Sequence, residues 1–279
     1  MLQTIKRNLQ KSEKHRSLYL IIKKIKHYYG KTLIFNMRMF LRYIGISNFH
    51  YKNLKKLKNT NENQRCFIIA TGPSLTIEDL NKVRDEKTFG MNSLCKIYGE
   101  IGWETTYYGI QDTYVYEKLK GDIASIKKST IIIGDSIKDS WEDYQKKWCS
   151  YPLNMLNHLV TYEDLTADFS ENSYMKVYDG YTITYSLIQI AVYMGFKEIV
   201  LMGCDCNYSD NKDNQHFVSS GVFDSTYKTA GKRMMFAYEK AKEFADANNI
   251  MIYNATRGGM LEVFPRVDLD EILNLKVNK

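Results

Sequence analysis

The strongest constraint on the fold is a series of short strand-like runs, each too short for a helix and each followed by a helical or turn-rich stretch. The runs are 65–70 (RCFIIA), 87–90 (KTFG), 104–110 (ETTYYGI), Thr130–Gly134 (TIIIG), Glu198–Met202 (EIVLM) and 250–253 (IMIY). The clearest of them are continuously apolar rather than alternating, which suits strands buried on both faces of a parallel sheet. Residues 182–194 and 231–248 carry helical periodicity, and Gly195 supplies a C-terminal stop for the first. Strands alternating with helices predict an α/β fold: a doubly wound, mostly parallel, Rossmann-like sheet. Ligands of such sheets bind beyond the carboxyl ends of the strands. The residues just after each run are therefore the candidate site.

The N-terminal part reads differently. Residues 1–60 hold fifteen of the chain's 39 Lys and Arg but only one of its 32 Asp and Glu, Glu13. A basic helical arm thus precedes a mildly acidic nucleotide-binding catalytic domain over 61–279, in which 135–178 reads as an insertion or lid. Leu18, Leu20, Ile21, Ile22 and Ile25 interleave with lysines, and 32–46 mixes Leu33, Phe35, Met37 and Phe40 with Arg38 and Arg42. This pattern suits an anionic membrane surface, with apolar side chains entering the lipid boundary and cations meeting headgroups. It also suits a helical pair packed on the catalytic domain or on a second copy, giving a homo-oligomer. Nucleic acid is not the expected partner. The chain shows neither a secretory signal nor a run of about 18 apolar residues, and its five cysteines form no disulfide framework. A cytoplasmic protein, peripheral at the inner face of the cell membrane, is expected. Cys204-Asp205-Cys206 with His216 offers too few ligands for a convincing metal site, so none is assigned.

The first run leads into Thr71-Gly72-Pro73-Ser74-Leu75. Gly72 lets the backbone approach a ligand closely. Pro73 suits a first helical position, Ser74 offers a hydroxyl, and free amides at a helix start attract phosphate. The loop is neither a Walker loop nor the three-glycine dinucleotide fingerprint. Two further strand ends offer chemistry: Gly203-Cys204-Asp205, where Asp205 could bind a ribose or sugar hydroxyl or act as a base, and Asn254 to Gly259, where Arg257 could pair with phosphate or a carboxylate.

Together these motifs resemble a known superfamily. It comprises bacterial lipo-oligosaccharide sialyltransferases, flagellin-modifying motility-associated factors and archaeal hydroxymethylpterin diphosphokinases. The shared features are a strand followed by Thr71-Gly72-Pro73-Ser74-Leu75, then Asn92 after the second strand, then a helix from Thr182, Gly195-Phe196-Lys197-Glu198-Ile199, an apolar strand and Gly203-x-Asp205. The resemblance covers 65–112 and 176–262 and implies the sialyltransferase-type variant of the Rossmann-like fold. It implies a nucleotide-sugar donor, CMP-linked by preference, bound without a metal cofactor by Thr71, Gly72, Pro73, Ser74, Asn92 and Thr182. Gln111 or Asp112 stands where the sialyltransferases have an Asn contacting the donor. Their Ser-Gly after the helix-starting Thr is Ile183-Thr184 here, a departure beside the donor's sugar or base.

The expected reaction is glycosyl transfer to a glycan or lipid-linked glycan in surface polysaccharide or glycolipid assembly. A base must take the acceptor proton, and His216, which titrates near neutrality, or Asp205 is placed in that role. Tyr208 or Arg257 would stabilise the departing phosphate. The alternative is a diphosphokinase acting on a pterin-like alcohol, with Mg²⁺ held by carboxylates such as Asp112 and Asp205.

Overall fold

The computed structural model describes residues 30–46, 50–138, 148–155, 165–207, 216–222 and 227–275. The first elements are helices α1 (Gly30–Tyr43) and α2 (Lys52–Lys56), followed by β1 (Arg65–Ile69), α3 (Ile77–Lys82) and β2 (Thr88–Met91). A 3-10 turn over Asn92–Ile97 runs into α4 (Tyr98–Ile101), then β3 (Tyr107–Ile110), α5 (Thr113–Ala124) and β4 (Thr130–Gly134). Three very short strands follow: β5 (Cys149–Tyr151), β6 (Leu153–Asn154) and β7 (Val177–Tyr178). The chain closes with α6 (Ile183–Tyr193), β8 (Glu198–Met202), α7 (Tyr227–Ala247), β9 (Met251–Asn254) and α8 (Leu269–Asn274).

Seven strands form one sheet in the order β5-β4-β3-β2-β1-β8-β9, and every neighbouring pair is parallel. The chain lays β1 to β5 outward in one direction, then returns to place β8 on the other edge of β1. That reversal makes the carboxyl ends of β1 and β8 the topological switch point, where open α/β sheets bind ligands.

Strand periodicity explains the two cores. Cys66 and Ile68 of β1 face one layer, with Leu187 and Ile190 of α6 and Tyr238 of α7. Phe67 and Ile69 face the other, with Leu80 of α3, Leu119 of α5 and Ile272 of α8. All four β1 side chains are fully buried, each large one contributing about 1.5–3 kcal/mol relative to exposure. The doubly wound, mostly parallel α/β fold expected from the apolar runs is the fold observed.

Two boundaries differ from expectation. Residues from Tyr51 onward pack on the α/β body: Tyr51 and Leu54 are buried, Tyr51 donates its hydroxyl proton to Asp135 at 2.6 Å, and the Asn59, Asn61 and Asn63 amides bond the carbonyls that end α6, at Tyr193, Met194 and Gly195. The span 135–178 is not wholly an insertion. β5 extends the main sheet, and β6 pairs with β7 in a small second sheet whose Val177 is fully buried. The arm's Leu18 to Ile25 stretch lies outside the described residues. Among those described, no helix is long and apolar enough to cross a membrane.

Candidate active site at the β1–β8 switch point

The loop after β1 is held against the loop after β8 from its first residue. The Ala70 amide bonds Met202 O at 2.8 Å, and the Gly72 amide bonds Gly203 O at 2.9 Å. A Cβ at Gly72 would lie 1.9 Å from Asp205 Oδ2 and 2.4 Å from Gly203 O, so only glycine fits between the two strand ends. The Ser74 hydroxyl donates to Asp205 Oδ2 at 2.8 Å, fixing a carboxylate that is only 8% exposed. Asp205 is backed from behind: its carbonyl accepts the Met260 amide at 2.7 Å, and a Cβ at Gly259, where φ is +72°, would come within 2.8 Å of the Asp205 backbone.

The cleft so formed is bounded by Thr71, Gly72 and Pro73, by Asn92 after β2, by Thr182 at the start of α6, by Asp205 and by His216. Sequence positions from 71 to 216 therefore converge on one site. Asn92 adopts φ +47°, a left-handed conformation that Asn tolerates better than most residues, and its carbonyl accepts the Tyr108 hydroxyl at 2.6 Å. Thr182 is the N-cap of α6, its hydroxyl oxygen accepting the Thr184 amide. The N-terminus of this eleven-residue helix thus opens on the cleft.

The residues that follow His216 are tethered to the stretches after β1 and β2. The next amide, Phe217, bonds Thr71 O at 2.8 Å, the Ser93 hydroxyl donates to Val218 O, and Lys96 Nζ reaches Ser219 O at 2.8 Å. Burial holds the imidazole below the usual histidine pKa, and the backbone of Thr71 opposes that pull. Cys204 and Cys206 are buried beside the cleft, and burial raises both thiols, Cys206 to about 12, which disfavours thiolate chemistry.

Several expected residues are employed otherwise. Pro73 sits in a turn closed by the Leu75 amide on Gly72 O, and α3 starts only at Ile77. Its cap is Thr76, in a capping box with Asp79, so α3 spends its first amides on its own side chains rather than on a ligand. Arg257 bonds Asp79 and the Thr76 hydroxyl and lies outside the cleft. Asp112 is exposed and caps α5, accepting the Tyr114 and Val115 amides at 2.7 and 2.9 Å. Gln111 is buried one layer deeper, donating to Asp179 at 2.7 Å and accepting from Tyr151 at 2.8 Å. Asp179 in turn accepts the Tyr181 amide next to Thr182, so Gln111 supports the start of α6. Tyr208 lies outside the described residues. Asp112→Ala is expected to lower stability by about 1 kcal/mol through loss of a cap and to leave turnover within about twofold; urea denaturation and steady-state rates check both.

Sequence reasoning passed over Met91, Asn207, Met234 and Tyr238, which also line the cleft. Met234 and Tyr238 are four apart on α7, so periodicity pairs them on one face, but nothing in the sequence says that this face meets a cleft. Among the described residues no three His, Cys, Asp or Glu side chains converge as a metal-binding group.

Comparison with known proteins agrees with the fold. The MAf glycosyltransferase from Magnetospirillum magneticum AMB-1 superposes with a TM-score of 0.52 at 16% identity, over 84% of this chain and 40% of that one. The chain thus spans less than half the length of that protein, and the likeness is one of fold. No curated protein matches the sequence. The model of the family described as 6-hydroxymethylpterin diphosphokinase MptE-like matches residues 44–211, from before β1 through the Asp205 loop. The resemblance to the superfamily that joins these diphosphokinases and the motility-associated factors is borne out. With that model spanning more than half of its 279 residues, the chain belongs to the MptE-like family.

Proposed function

We propose that the cleft transfers a glycosyl group from a nucleotide sugar, CMP-linked by preference, to an acceptor hydroxyl on a glycan or lipid-linked glycan. The observation that carries this reading is the meeting of Gly72, Asp205, Thr182 and His216 around one cleft at the switch point. The donor's phosphate sits at the N-terminus of α6, where helix amides and dipole favour an anion. Asp205, oriented by Ser74, accepts from a ribose or sugar hydroxyl. His216 takes the proton of the acceptor hydroxyl while that oxygen bonds the anomeric carbon. The bond from that carbon to the phosphate oxygen breaks, the electron pair leaves with the nucleotide, and a single displacement inverts the anomeric centre. Burial lowers the His216 pKa, which favours the neutral form that a base requires.

The family's description favours a second reading, diphosphate transfer from a nucleoside triphosphate to a pterin-like alcohol. Its Mg²⁺ would need carboxylates. Among the described residues Asp205 is the carboxylate that lines the cleft, and Asp112 lies outside it as the cap of α5, so a Mg²⁺ there would have one protein carboxylate and would be held mainly by the phosphates.

The test is nucleotide release from CMP-, UDP- and GDP-sugars with EDTA present, against AMP formation from ATP and a hydroxymethylpterin with Mg²⁺. Release of CMP alone supports glycosyl transfer. AMP formation with no release from any nucleotide sugar replaces it with the second reading.

A further inference from the structure

Helix α1 meets the body of the protein on one side only. Arg42, 4% exposed, donates to Met175 O at 2.5 Å and lies 5.0 Å from the Tyr51 ring centroid. Phe35 and Met39, on the same side of the helix, are half-buried. The opposite side carries Leu33, Met37, Phe40 and Ile44, spaced four, three and four apart, and these are 71, 54, 58 and 45% exposed. Side chains at this spacing form one continuous row. An apolar row on a helix already docked by its other side has no partner within the chain's described residues, and soluble proteins seldom expose such patches without use.

The surrounding charge identifies the partner. From Gly30 to Thr60 the chain has seven Lys and Arg and no Asp or Glu, and Lys31, Arg38, Lys52, Lys56 and Lys58 are exposed. A second copy seated on the row would bring two such cationic surfaces together, which like-charge repulsion opposes. Nucleic acid would satisfy the charge but leave the aliphatic row in water. An anionic lipid surface satisfies both, with the row in the acyl boundary and the lysines at the headgroups. We propose that the outward row of α1 seats the protein on an anionic bilayer. Arg42 of the anchor bonds Met175 O, in the stretch that leads into β7 and the Thr182 cap. The proposal is independent of which transfer the cleft performs.

The test is co-sedimentation of the full chain with vesicles of phosphatidylcholine plus phosphatidylserine and of phosphatidylcholine alone. The wild type is expected to sediment with the anionic vesicles, and those vesicles should slow amide exchange across α1. The Leu33→Ser/Met37→Ser/Phe40→Ser variant should lose at least about tenfold in partitioning with unchanged Tm, because these side chains are already exposed. Lys52→Gln/Lys56→Gln/Lys58→Gln should weaken the binding to anionic vesicles by a similar factor. Wild-type partitioning by the serine variant, or slowed exchange everywhere but α1, overturns the proposal. So does a wild type that sediments with neither vesicle; a dimer that the serine variant disperses would then assign the row to a second copy.

Discussion

Gly72→Ala is expected to lower stability by about 3 kcal/mol and to remove measurable nucleotide binding, the upper end of the cost of overpacking a tight site. The added carbon would lie 1.9 Å from Asp205 Oδ2 and 2.4 Å from Gly203 O. The carboxylate could swing away only by giving up the Ser74 hydroxyl. The Gly203 carbonyl cannot swing, because it accepts the Gly72 amide and belongs to the backbone that joins β8 to Asp205. The two loops must therefore part, opening the cleft where the donor is proposed to sit. Gly121→Ala is the matched control. Nothing lies within 4 Å of a Cβ there, Gly121 is inside α5, and the change should stabilise by about 0.5–1 kcal/mol through helix propensity and a less flexible unfolded chain. Denaturant titration of both variants checks the contrast. Equal stabilities would show that the β1 and β8 loops are not in contact as described.

His216→Ala is expected to reduce turnover by about 10²-fold or more while nucleotide affinity stays within about threefold. The asymmetry follows from what the side chain is proposed to do: it takes a proton as the acceptor attacks, whereas the donor is held by the β1 loop and α6. The pH profile supplies a readout that a structural role would not move. A base must be unprotonated, so kcat/KM falls as pH drops through the His216 pKa. Burial lowers that pKa, which sets the midpoint of the acidic limb below the ordinary histidine value of about 6.5. In His216→Ala the limb should vanish along with the rate. A variant at near wild-type turnover removes His216 from the chemistry and leaves Asp205 as the remaining base.

The sheet was legible where its strands are near-continuous apolar runs, as in β1, β4 and β8, because burial on both faces confines polar residues to the first position, Arg65, Thr130 and Glu198. It was illegible at β5, whose three residues fall short of any pattern, and at β6 and β7, with two each. How far the arm packs on the body was illegible for a related reason. Tyr51 and Leu54 continue the amphipathic composition of the preceding residues, and periodicity reveals a face without saying what it packs against. The strand-end rule, with the family resemblance, pointed to Thr71, Gly72, Asn92, Thr182 and Asp205, which line one cleft, and to Asp112 and Arg257, which lie outside it. The carboxyl edge of a parallel sheet is also where the next helix begins. Polar residues there serve as caps as readily as ligands, and Asp112, Thr76 and Asp79 with its partner Arg257 are engaged in that way.

Whether the β1–β8 cleft holds a nucleotide without a resident metal is decided by thermal unfolding of the wild type and Gly72→Ala with CMP or ATP, each with Mg²⁺ and with EDTA. A ligand at about 100 times its Kd adds about 2.7 kcal/mol, a shift of several degrees. CMP should raise the Tm of the wild type equally with Mg²⁺ and with EDTA and should not raise that of Gly72→Ala. Stabilisation by ATP with Mg²⁺ alone, or by CMP in both proteins alike, would contradict this reading.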